Sequence, residues 1–216
     1  MNIEQARFNM IEQQSRPWDV LDTAVLSLLA VVKREDFLPA SVRALAFVDS
    51  EVPVGEGQMM LAPRVQARLL QDLKVQRHET VLEVGTGTGY TAALLGHRAQ
   101  RVISLEKNAA LAQAATDNLR RAGLNNVSVR NADGAQGLAA EGPFDAILLG
   151  GSVAKVPQVL LDQLKDGGRL IAIEGTSPTM SGVLYTRQAG AVSREVLFDT
   201  EAARLEGFSE VTTFAF

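Results

Sequence analysis

The chain has 216 residues, 46% of them hydrophobic and 21% charged, a balance that suits a globular unit with a substantial core and excludes disordered, collagen-like and coiled-coil chains. Its net charge of −4, with no local Lys/Arg cluster, leaves no basic footprint for nucleic acid. There is no cysteine and only two histidines, His78 and His97, so thiolate zinc sites, cysteine nucleophiles and His-rich metal centres are excluded and no metal is expected; a serine hydrolase elbow of the G-x-S-x-G type is also missing.

The first residues are rich in acids and amides where a signal peptide carries cations and then an apolar run. The longest apolar stretch, 24–32, falls far short of the roughly 20 residues that cross a bilayer. A cytoplasmic protein without a membrane partner is therefore expected. Val20, Leu21, Val25, Leu28, Leu29 and Val32 recur at three- and four-residue spacings, which predicts amphipathic helix. Residues 48–63 contain Pro53, Gly55, Gly57 and Pro63, which predicts a functional loop; its carboxylates, Asp49 and Glu56, are candidate proton acceptors. A helix over 64–73 follows, with Val65, Leu69 and Leu73 on one buried face.

At Glu79 the period changes. Apolar runs at 80–84, 102–106, 127–130, 146–149 and 170–173 predict strands, and 108–122 and 156–164 predict helices between them. Strands separated by helices build a parallel sheet covered on both faces. Runs at 183–188, 192–198 and 211–216 follow without a helix and predict an antiparallel pair. The expected fold is α/β: a doubly wound, mostly parallel seven-stranded sheet with an N-terminal helical cap. The expected division is a cap and lid loop over 1–78 and a ligand-binding core over 79–216, joined in one compact unit.

The motif with most chemical content is Glu83-Val84-Gly85-Thr86-Gly87-Thr88-Gly89-Tyr90, where an apolar strand ends in a three-glycine turn that opens a helix. Glycine there admits positive φ and close approach of a ligand to the backbone, and ligands of open α/β sheets sit beside such turns. A dinucleotide fingerprint requires its third glycine at position 90, which is Tyr90, and no Gly-Lys-Ser/Thr follows for a Walker loop. The form E-x-G-x-G-x-G resembles motif I of the class I S-adenosylmethionine-dependent methyltransferases. That resemblance implies S-adenosylmethionine as cofactor, with S-adenosylhomocysteine as product, held by Glu83, Gly85, Thr86, Gly87, Thr88, Gly89 and Tyr90. It also implies that Glu106, next to Lys107 and 21 residues after Gly85, accepts from the ribose hydroxyls, and that Asp133, next to Gly134, contacts the adenine amino group.

A second resemblance covers nearly the whole chain. Val32-Lys33-Arg34-Glu35-Asp36-Phe37-Leu38-Pro39, Val54-Gly55-Glu56-Gly57-Gln58, Gly142-Pro143-Phe144-Asp145-Ala146-Ile147 and Gln163-Leu164-Lys165-Asp166-Gly167-Gly168-Arg169-Leu170 are similar to the protein-L-isoaspartate O-methyltransferase family. The resemblance implies repair of aged proteins by methylation of isoaspartyl carboxyls in a protein or peptide. The family's loop G-Q-T-I-S, with proline soon after, reads here Gly57-Gln58-Met59-Met60-Leu61-Ala62-Pro63, so its threonine and active-site serine are Met59 and Leu61. After the fourth strand the family's Thr-Ala-Ala-like stretch is Gly150-Gly151-Ser152. The implied lid and acceptor pocket is Gln58, Met59, Met60, Leu61, Gly150, Gly151 and Ser152, diverged from the family on the acceptor side. No catalytic side chain is assigned; Asp49, Glu56 and Gln58 are candidates. Two alternatives stay open: a relative that methylates a small molecule or another protein site, and a non-catalytic protein that binds S-adenosylmethionine.

Overall fold

The computed structural model describes residues 2–209. Helix α1 (Ile3–Met10) starts at Asn2, whose side chain accepts from the Gln5 N–H at 3.3 Å. It runs on through a π-helical turn (Ile11–Ser15) and a 3₁₀ turn (Arg16–Trp18). Helix α2 (Thr23–Val31) is capped by Asp22, which accepts from the N–H groups of Ala24 and Val25. Two short 3₁₀ turns (Arg34–Phe37 and Arg43–Leu45) then lead to strands β1 (Val52–Gly55) and β2 (Gln58–Met60).

Those two strands form an antiparallel hairpin, so the segment expected to be loop contains regular structure. The turn residues misled the reading because they are confined to the hairpin tip: Gly55, Glu56 and Gly57 all have positive φ. Pro53 fits because β1 and β2 make a two-stranded ribbon in which both strands are edges. Helix α3 (Pro63–Leu73) begins with proline at its first turn, where no N–H is needed, and buries Val65, Leu69 and Leu73 as the spacing predicts.

The remaining elements are β3 (Thr80–Val84), α4 (Tyr90–Gly96), β4 (Arg101–Glu106), α5 (Ala109–Arg121), β5 (Val127–Asn131), β6 (Phe144–Val153), α6 (Gln158–Leu161), β7 (Leu164–Thr176), β8 (Thr179–Gln188) and β9 (Ala191–Thr200). The seven-stranded sheet has the order β5-β4-β3-β6-β7-β8-β9, parallel from β5 to β7 and antiparallel at β8 and β9. The mostly parallel seven-stranded α/β sheet is thus present. The helix expected over 156–164 is only the four residues of α6, because Pro157 precedes it and Leu164 already pairs with Phe144 in β7. Strands β6 and β7 outrun their apolar centres, since small and polar residues at their ends keep the ladder without an apolar signal. The run at 211–216 lies outside the described residues.

Successive residues of the central strands point to opposite faces. Val81, Val102, Ala146 and Leu148 join a core that includes Met10, Leu29, Leu69 and Leu94, so the sheet and the first three helices share one apolar cluster. Leu82, Ile103, Ile147 and Leu170 join a second core with Leu160 and Leu161 of α6. Strand β3 has β4 on one side and β6 on the other, so the chain's winding reverses between β3 and β6. A crevice opens at the carboxyl ends of strands at such a reversal. Among the described residues no helix is long and apolar enough to cross a membrane.

Candidate functional site

The glycine turn occupies that crevice. After Val84 the chain passes through Gly85 (φ +89°), Gly87 (φ +55°) and Gly89 (φ +93°), and Gly89 caps α4. These are conformations a side chain resists. The turn is fastened to the end of β4: the N–H groups of Gly85 and Thr86 both donate to the Leu105 carbonyl, at 2.8 and 3.3 Å. The Gly87 N–H donates to Glu106 Oε2 at 2.8 Å, and the other carboxylate oxygen accepts from the Asn108 N–H at 2.9 Å. A carboxylate offers about four acceptor positions, so two remain for ligand hydroxyls.

A cleft open to solvent is built on this turn. Its wall comes from three places in the chain. Gln58, Met59 and Leu61 enter from the hairpin side, Gly150 and Gly151 from the end of β6, and Ala203, Arg204, Leu205, Glu206 and Phe208 from the segment after β9. The pieces interlock closely. A Cβ at Gly150 would strike the Gly85 carbonyl oxygen, and one at Gly85 would lie 2.5 Å from Leu205 Cδ2. The Gln58 amide donates to Glu206 Oε1 at 2.7 Å, joining the hairpin to the crossing segment.

Most residues singled out by sequence converge here. Gln58, Met59, Leu61, Gly85, Gly87, Glu106, Lys107, Gly134, Gly150 and Gly151 line the cleft, and Met60, Thr86, Thr88 and Tyr90 line its inner extension below the glycine turn. Others stand elsewhere. Glu83 is enclosed between strands, with its carboxylate taking the Ser104 hydroxyl; burial pushes its pKa up to about 8. Gly89 faces Ala115 on α5, where a Cβ would sit 3.2 Å from Ala115 Cβ. The Ser152 hydroxyl donates to the carbonyls of Ala202 and Ala203 at 2.8 and 3.2 Å, so it anchors the crossing segment and does not line the cleft. Asp49 is ion-paired with Arg64. Glu56 sits at the hairpin tip and accepts from Asn108 Nδ2 at 3.2 Å. Asp133 caps a 3₁₀ turn through the Ala135 N–H at 3.0 Å and pairs with Lys107 Nζ at 3.4 Å. Gly207 packs on that carboxylate so closely that a Cβ would be 2.8 Å from both oxygens.

Sequence reasoning missed the segment 201–208. It is held by the Ser152 backbone and by Glu51, whose carboxylate accepts from the Ala203 N–H at 3.0 Å. Neither contact has a local signature.

The residues present fit S-adenosylmethionine. A Cβ at Gly87 would have no atom within 4 Å, so the turn presents open space beside Glu106. Glu106 keeps acceptor capacity for a diol, and the Thr88 hydroxyl is buried without a hydrogen-bond partner among the described residues. No cluster of three or more metal-ligating side chains occurs among the described residues.

A mostly parallel doubly wound sheet with a glycine turn at its reversal point and a carboxylate ending the next strand defines the class: a Rossmann-like, S-adenosylmethionine-dependent methyltransferase. Comparison with known proteins narrows it. The family model described as protein-L-isoaspartate(D-aspartate) O-methyltransferase matches residues 5–199, and the chain belongs to that family. It is 41% identical to protein-L-isoaspartate O-methyltransferase 1 of Syntrophobacter fumaroxidans, over 81% of this chain and 82% of that protein. Two solved structures share the fold. One, a protein-L-isoaspartate O-methyltransferase, superposes with a TM-score of 0.80 at 24% identity, over 93% of this chain and 66% of the other. The second, the Plasmodium falciparum protein in complex with S-adenosyl-L-homocysteine, gives 0.78 at 23% identity, over 92% and 97%.

Proposed function

We propose that the enzyme methylates the carboxylate of an isoaspartyl residue in a protein or peptide. The observation that carries this reading is the state of the bases around the cleft. Among the described residues that line it there is no histidine. Both Glu106 oxygens already accept backbone N–H groups, Glu206 accepts from Gln58, and the Lys107 ammonium pairs with Asp133. An amine or hydroxyl acceptor has to lose a proton and calls for a positioned base. A carboxylate is ionised at neutral pH and calls only for orientation, which can supply a large part of the rate.

S-adenosylmethionine, when bound, supplies an electrophilic methyl group. The chain's own residues hold and orient: Glu106 takes the ribose hydroxyls, the open backbone at Gly87 admits the ligand closely, and Asp133, beside the cleft-lining Gly134, stands toward the adenine end. The hairpin and the 201–208 segment flank the acceptor side. Leu61, at the family's serine position, is buried and contributes an apolar wall. With Met59 beside it, this wall supports a second reading, in which the acceptor is a carboxylate on a more apolar molecule.

Incubation with isotopically labelled S-adenosylmethionine and an isoaspartyl peptide, with the aspartyl isomer as control, tests the assignment. A base-labile methyl ester on the isoaspartyl peptide alone is expected. No ester on it, with S-adenosylhomocysteine binding intact, would refute the proposal and leave the apolar acceptor.

A further inference from the structure

Arg34 is only 1% exposed, yet the partners of its guanidinium are neutral. Nε donates to the Ala46 carbonyl at 2.9 Å, Nη2 to the Leu61 carbonyl at 2.7 Å, and Nη1 to Gln66 Oε1. Its plane lies over the Tyr90 ring, 5.4 Å from the centroid. The nearby carboxylate of Glu35 is engaged by Arg7. From Gln66 the chain of bonds continues, since Nε2 donates to Thr91 Oγ1 at 2.9 Å. One side chain therefore joins the cap loop at Ala46, the residue after β2, the first turns of α3, and the start of α4 directly behind the glycine turn.

A buried charge is an expensive way to fill space. Desolvating it costs several kcal/mol, and apolar residues of similar volume often serve stability as well or better. Burial pushes the Arg34 pKa down to about 10, so it remains cationic at neutral pH. What arginine offers here is a rigid planar fork that donates in three directions, which lysine lacks. The direction that matters for the cleft is Nη2. Leu61 lies in the short link between β2 and α3, outside both elements, and its side chain lines the acceptor wall. The bond to its carbonyl sets the orientation of that peptide.

We propose that Arg34 is a positioning residue, which holds the Leu61 peptide, and with it the acceptor wall, in fixed register with the glycine turn. Only the kinetic arm of the test rests on the isoaspartyl reading.

The variant Arg34→Lys keeps the charge and most of the stem but loses the fork. Three quantities decide: the KM for an isoaspartyl peptide, the Kd of S-adenosylhomocysteine by calorimetry, and amide hydrogen exchange at residues 58–62. A peptide KM raised about tenfold, equivalent to about 1.4 kcal/mol, is expected with S-adenosylhomocysteine Kd within about twofold. Exchange at 58–62 should quicken about tenfold, while amides of β3 and β4 stay unchanged. A general weakening, with Kd, KM and exchange throughout the first 78 residues moving together, would overturn the proposal, as would unchanged KM and unchanged exchange. If the wild type turns over no isoaspartyl peptide, the acceptor assignment fails, and Kd with exchange still decides the role of Arg34. Should Arg34→Lys not fold, Gln66→Met removes one arm of the fork; exchange at 58–62 about threefold faster supports the positioning role, and no change refutes it.

Discussion

The two sides of the cleft are built on different principles. The proposed cofactor side is made from residues at the ends of adjacent parallel strands: the turn after β3, Glu106 at the end of β4, and Gly134 past β5, with Asp133 beside it. Its geometry follows from the sheet, because backbone bonds from Gly85 and Thr86 to Leu105, and from Gly87 to Glu106, lock turn to strand. The proposed acceptor side is assembled from the hairpin, the end of β6 and the 201–208 segment, joined by side chains such as Gln58, Glu206 and Ser152. On this proposal, a ligand common to a whole class of enzymes is met by the part of the site that the sheet's own backbone bonds hold. The part proposed to select the acceptor hangs on contacts that single substitutions can rewrite.

Gly150 sits on the border between the two, so its substitution should have the widest effect, disturbing both sides at once. In Gly150→Ala the new methyl meets the Gly85 carbonyl, a backbone atom that cannot rotate away. Overpacking typically costs about 1–3 kcal/mol, so Tm should fall by about 2–12 °C. S-adenosylhomocysteine affinity should fall with it, because the glycine turn has to move; calorimetry on the folded variant checks this, and unchanged affinity would show that the two sides are independent.

Glu106→Ala probes the cofactor side alone. Hydrogen bonds to charged groups are worth about 1.5–3 kcal/mol, so S-adenosylhomocysteine Kd should rise about 10- to 150-fold. The bonds from Gly87 and Asn108 are lost as well, so Tm should also drop. An isoaspartyl-peptide KM that changed as much as the cofactor Kd would blur the division drawn above.

Leu61→Ser probes the acceptor side alone. Truncating a buried leucine costs about 2–5 kcal/mol; at this cleft-lining position the low end is expected, which is a Tm loss of about 4–8 °C. Cofactor affinity should hold. Turnover of isoaspartyl peptide should rise, because a hydroxyl would again face the acceptor carboxylate; a fall in turnover would favour the apolar acceptor.

A gain of stability, seen only at higher pH, is expected at Glu83. Burial raises its pKa to about 8, with Glu106 adding to the rise and the Ser104 hydroxyl opposing it. The folded state therefore holds a proton that the unfolded chain releases near the usual carboxylate range. Stability from this group is present at low pH, is lost as pH climbs from about 4.5 to about 8, and is level above that. Glu83→Gln, neutral throughout, should flatten that slope and raise Tm at pH 8 but not at pH 4. Equal Tm changes at both pH values would mean that Glu83 is ionised in the fold.

The same contrast explains what the sequence disclosed. Gly85, Gly87 and Glu106 were legible because strand ends and turns carry local signals, namely an apolar run, glycine spacing and an acid at a fixed distance. The alternation of a strand should also have warned about Glu83: Leu82 and Val84 belong to one core, so the residue between them points to the other face and never to the cleft. The hairpin escaped notice because strands of three and four residues, one with a proline, are too short for a period to show. Ser152 was placed correctly along the chain but not in space; its hydroxyl is spent on carbonyls 50 and 51 residues away. The crossing segment was illegible for the same reason, since its anchor at Glu51 lies 152 residues back.

The position of the 201–208 segment in the chain also orders the protein's assembly. Synthesis delivers the hairpin and the glycine turn early, whereas Leu205 and Glu206 emerge only after β9. Until they do, the groove beside the glycine turn lacks the wall that these residues supply. Closing that wall joins Gln58 and Glu206, 148 positions apart, in one local structure.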